Sequence, residues 1–237
     1  TPRLSGVRTL LVDGHVYSPA ENFATALLIE DGVIAWIGAE GGAAMHTTDV
    51  DEVVELHGDL IAPGFVHLAV DEAAVSDGFV HAQRAGMAAD RWPVQVWDEY
   101  ADKPLAVVPA DPCRLRSRIA AGVPTALLPP HTGGSGWEVI RAAVYGVDPA
   151  ERLTARGAFS ALTRGAWRLL GRPEKGVLRV GAEATFIRWH VENLVVESPD
   201  TRISNWSTDP RSATPGLPAL QDDAPLPEFV EAWLGGT

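Results

Sequence analysis

Ala26-Leu-Leu-Ile-Glu-Asp-Gly-Val-Ile-Ala-Trp-Ile-Gly38 sets an Asp31-Gly32 pair between two strand-like arms. An Asp-Gly pair favours the positive φ angles of a two-residue turn whose twist matches that of the flanking strands, so the stretch reads as a β-hairpin. Further β-prone runs lie around it, at Arg8 to Val12, His15 to Tyr17 and Glu52 to Leu56, broken by Asp13-Gly14 and Ser18-Pro19. The whole region reads as an antiparallel meander. A second β-prone piece returns late, in Gly176-Val-Leu-Arg-Val-Gly-Ala-Glu-Ala-Thr-Phe-Ile-Arg-Trp189 and Leu194-Val-Val-Glu197. Sheet segments at both ends of a chain imply that the ends pair into one small β domain.

Between them the pattern changes. Pro93 to Trp97, Leu105 to Val108 and Thr125 to Leu128 read as short buried strands, and helical segments alternate with them. Asp111-Pro112 opens a helix that Gly122 stops, since Asp caps, Pro suits the first turn and Gly ends it. A helix over 137–145 follows Gly133-Gly-Ser-Gly136, and a single helix over Thr154 to Leu170 has Thr154 as cap and Gly171 as terminator. Alternating β and α elements indicate a parallel α/β layer. The expected domains are a composite β domain over 1–66 and 172–205, an α/β domain over 67–171, and an extended tail over 206–237. Five prolines between 210 and 227 suit the tail.

Composition narrows the partners. The 237 residues carry a formal net charge of -12, which disfavours nucleic acid or an anionic membrane as partner, because both reward clustered positive charge. Apolar runs such as Ile119 to Leu128 are broken by Gly122 and Pro124, well short of the roughly 20 residues of a membrane helix. No signal-peptide layout opens the chain, which begins at Thr1 without Met, as a trimmed sequence would. A single cysteine, Cys113, excludes an internal disulfide and fits a reducing, cytoplasmic setting.

The stretch Leu60-Ile-Ala-Pro-Gly-Phe-Val-His-Leu-Ala-Val-Asp71 resembles, up to Val66, the turn that leads into the first barrel strand of the amidohydrolase superfamily. Thr9 to Pro19, Ala26 to Gly38 and Val53 to Gly58 look like the opening of its family-three branch, the one similar to N-substituted formamide deformylases. Arg118 to Leu127, Ile140 to Val144, Leu153 to Arg156, Leu162 to Ala166 and Lys175 to Phe186 resemble that branch's last barrel unit and closing β segment. Trp206 to Ser212 and Pro215 to Pro218 look like its tail. The likeness covers roughly residues 7 to 66 and 115 to 220.

That resemblance implies a TIM-like (β/α) barrel with a small β-sandwich, and hydrolysis of amide or other C-N bonds by a metal-activated water. A full barrel takes about 250 residues. The stretch 67–171 holds three or four βα units at roughly 30 residues each, so an incomplete barrel remnant is expected.

The departures fall on the chemistry. The family's first strand ends in His-x-His, whereas here His67 is followed by Leu68, Ala69 and Val70. Where the family's last strand leads to Gly-Ser-Asp, this chain reads Leu127-Leu-Pro-Pro-His131-Thr132. No His-x-His, His-x-x-x-His or His-Glu-x-x-His occurs. His67 and His81 remain as metal ligands, relics of the family's site, with no catalytic or cofactor-binding residue beside them. Lys103, flanked by Asp102 and Pro104, compares with the carboxylated lysine of some amidohydrolases but sits in a loop-like context. Asp98-Glu99 reads as a solvated pair, and Gly133 to Gly136 as a loop rather than a phosphate cradle.

Two functions follow. The first is a degenerate, non-catalytic amidohydrolase homologue without cofactor, acting as a structural or regulatory subunit. An incomplete parallel sheet leaves strand edges to be covered, so it pairs with itself or with a full-length relative. The alternative is a metal-dependent hydrolase of C-N bonds, holding zinc or another divalent metal, whose remaining barrel segments lie outside this sequence.

Overall fold

A computed structural model describes residues 7–67, 79–81, 105–107, 115–123, 125–127, 135–146, 148–197, 206–207, 216–221 and 223–235. The fold is mixed α/β with several sheets. Two compact units divide it: Thr1–Pro63 with Val177–Ala219 and Pro225–Thr237, and Gly64–Gly176 with Leu220–Ala224.

In the first unit, β1 (Arg8–Val12), β3 (Ala26–Glu30), β4 (Val33–Gly38) and β5 (Glu52–Glu55) form a sheet of order β4-β3-β1-β5. The Asp31-Gly32 hairpin forms as its sequence predicts. Both turn residues take positive φ, 52° and 73°, and Glu30 pairs with Val33. The meander is only partly antiparallel, however. β5 joins β1 in parallel, Thr9 opposite Glu52, because the chain first crosses over through α1 (Glu40–Ala43) and a 3-10 turn at Thr47–Asp49.

β2 (His15–Val16) leaves that sheet for another, where it lines up with β6 (Leu60–Ala62), β11 (Phe186–His190) and β15 (Glu228–Trp233) in the order β15-β11-β6-β2. Leu11, Leu27 and Ile34 from the first sheet and Ile61 and Phe186 from the second belong to one buried cluster. Trp233 stacks on Phe186, with ring centroids 5.4 Å apart.

Two late segments differ from their sequence reading. Of Gly176 to Trp189 only the end is strand. The part before it turns at Gly181, φ 83°, and its backbone bonds to Ile34 on β4. Within 206–237 the described residues form short strands. β13 (Trp206–Ser207) and β14 (Leu217–Pro218) pair with β12 (Leu194–Glu197), and β15 pairs with β11. The prolines explain the split, since the last of them, Pro227, directly precedes a proline-free run with free N–H groups to donate.

The second unit holds two parallel pairs, β7 (Phe65–His67) with β8 (Phe79–His81) and β9 (Leu105–Val107) with β10 (Thr125–Leu127). The helices are α2 (Leu115–Ala120), α3 (Gly136–Val144), α4 (Ala155–Leu162) and α5 (Arg164–Leu169). No closed barrel is present among the described residues. The expected strand at 93–97 and the helix start at Asp111 lie outside them.

The single helix expected over 154–170 is two. Thr163 sits at φ -115°, ψ -99°, and its hydroxyl donates to the Phe159 carbonyl at 2.8 Å, a back-bond that competes with regular helix. Among the described residues no helix is long and apolar enough to cross a membrane.

Phe65, Trp137 and Phe159 form the aromatic centre of this unit, at 5.2 Å and 5.9 Å from the Phe65 ring centroid. A Cβ on Gly136 would overlap the Phe65 ring. Gly136→Ala is therefore expected to destabilise the protein by about 1 to 3 kcal/mol through overpacking, read as a lowered urea midpoint at unchanged slope. An unchanged midpoint would mean that the ring yields freely.

Candidate functional site

β7 and β8 run parallel in register, Phe65 opposite Phe79 and His67 opposite His81. Both histidines thus occupy the last residue of their strands, at the C-terminal edge where barrel enzymes place their chemistry. The Phe65 ring packs on Trp137 of α3 and Phe159 of α4.

The donor set is short for a catalytic metal. A catalytic zinc takes three protein ligands, whereas this register brings together two imidazole-bearing residues. Among the described residues, no group of three or more His, Cys, Asp or Glu is arranged to hold a metal ion. The described residues do not by themselves complete a hydrolase's metal centre. His131, Asp98, Glu99, Lys103 and Cys113 lie outside the described residues.

The end of the glycine-rich stretch, Ser135-Gly136, is a helix start. Ser135 Oγ accepts from the Trp137 N–H at 3.2 Å, and the Glu138 carboxylate accepts from the Ser135 N–H at 2.9 Å. This capping box occupies donors that a phosphate would need. Ser135→Ala is expected to cost about 1 kcal/mol in chemical denaturation. A cost near zero would place the anchoring of α3 elsewhere.

Among the described residues, a charged cluster that sequence reading missed lies in the β unit. Asp59, with its side chain 7% exposed, accepts from Arg188 Nε at 2.6 Å through Oδ2 and lies 2.9 Å from His190 Nδ1 through Oδ1. Arg188 also donates from Nη2 to the Leu56 carbonyl at 3.2 Å, and its Nη1 is 3.8 Å from the Glu231 carboxylate. The antiparallel register of β6 and β11 assembles the group, since Leu60 opposes Trp189 and so sets Asp59 beside His190. The signal was an Arg-x-His alternation in one strand and an aspartate just before another. Pairing them required the register.

Arg188 is tied to a buried carboxylate and to backbone, which is the work of a structural clamp. Removing one partner of a buried pair leaves the other uncompensated. Asp59→Ala is expected to lower stability by about 3 kcal/mol, measured by urea unfolding. A loss below about 1 kcal/mol would mean that solvent screens the pair as at a surface.

The other described histidines play local parts. His46 lies against the Trp36 ring, with centroids 4.9 Å apart. His57 is exposed, 3.9 Å from both Asp13 and Glu55. Burial lowers the His15 pKa below its usual 6.5, and the nearby Asp13 charge opposes that shift. A depressed folded pKa means that the unfolded chain binds the proton first. His15 therefore contributes full stability above about pH 6.5 and loses it as pH falls towards the folded value. The ring keeps an exposed face, so the effect is small. A shallow acid-side slope in the unfolding midpoint, absent from His15→Gln, is the expected result; an identical slope in both proteins would remove His15 as its source.

No family model matches the sequence, and no curated protein sequence matches it. Solved structures do. A zinc-bound adenosine deaminase from Xanthomonas campestris aligns over 98% of this chain and 92% of its own, with TM-score 0.59 and 11% identity. Triazine hydrolase from Arthrobacter aurescens aligns over 91% of this chain and 97% of its own, with TM-score 0.52 and 12% identity. An uncharacterized metal-dependent hydrolase from Pyrococcus furiosus is 21% identical over 26% of this chain, with TM-score 0.22, and the match spans only 14% of that hydrolase. At 11–12% identity, what this chain shares with the first two is the fold.

Proposed function

We propose that this chain is a degenerate amidohydrolase-like protein, non-catalytic, that serves as a structural or regulatory subunit in the cytoplasm. Residues 67–171 are read as a remnant of a (β/α) barrel. The two sheets of the β unit, whose side chains share one core, are read as a composite β-sandwich. One observation carries the loss of activity, the departure of the sequence from the family's metal-ligand motifs. Leu68 and Ala69 follow His67, and no aspartate follows Leu127 at the family's position.

A second reading, a metal-dependent hydrolase of C-N bonds, is favoured by the register that sets His67 opposite His81 at the ends of adjacent parallel strands. It needs at least one further ligand, from residues outside the described set or from a longer polypeptide. His67 and His81 would then hold zinc or another divalent ion, which would supply a nucleophilic hydroxide.

The two readings separate in one preparation. For the non-catalytic subunit, elemental analysis is expected to find zinc well below one ion per chain, and N-substituted formamides to stay unhydrolysed after zinc is added. Light scattering should give a multiple of 25.3 kDa, or a complex with a full-length relative when the two are mixed. One zinc per chain that disappears in His67→Asn or His81→Asn, together with formamide hydrolysis, would establish the hydrolase instead. A monomer that binds no relative would remove the subunit role.

A further inference from the structure

We draw no further inference here: the strongest candidate, the Asp59–Arg188–His190 cluster at the end of the sheet β15-β11-β6-β2, has both carboxylate oxygens taken by its own partners and belongs to the structural clamp already described.

Discussion

The pairing of β6 with β11 is the constraint on which the β unit depends. Ile187 opposes Ala62 and Trp189 opposes Leu60, so residues more than a hundred positions apart become neighbours. Closing a loop of that length costs on the order of 4 kcal/mol in chain entropy. Leu60, Ile61, Ile187 and Trp189 are all at most 2% exposed. Burying each such side chain contributes roughly 1.5 to 3 kcal/mol, which together exceeds the closure cost. Once formed, β11 offers its other edge to β15, and the Arg188 side chain reaches Asp59, the Leu56 carbonyl and Glu231. The clamp is a consequence of register.

In the α/β unit the aromatic contacts of Phe65 play the corresponding part. Trp137 and Phe159 stack on one another at 5.7 Å and both meet the Phe65 ring, so the first residue of β7 is fixed against α3 and α4. The capping box at Ser135 reinforces the arrangement, because it fixes where α3 begins, next to the glycine that admits the ring.

Local signals were read well where the physics is local. The Asp31-Gly32 turn, the Thr154 cap and the start of α3 all follow from neighbouring residues. The errors share a cause. The run from Thr154 to Leu170 has helical periodicity throughout, yet the Thr163 hydroxyl bonds back to Phe159 and breaks it. The proline-rich end looked like a tail because composition averages over the window, while the six residues after Pro227 find an edge to pair with. β5 looked like the next meander strand, and only the crossover reveals its parallel sense.

From the sequence alone came the kinds of element, the turn chemistry, the acidic balance and the absence of a His-x-His pair after Val66, because each depends on residues close in the chain. Tertiary structure alone decided that His67 stands opposite His81 in the register of two neighbouring strands, and that Asp59 closes on Arg188 and His190. Those are facts of register and packing between distant segments. No local propensity encodes them, since sliding a strand by one residue would exchange its faces while leaving its sequence unchanged.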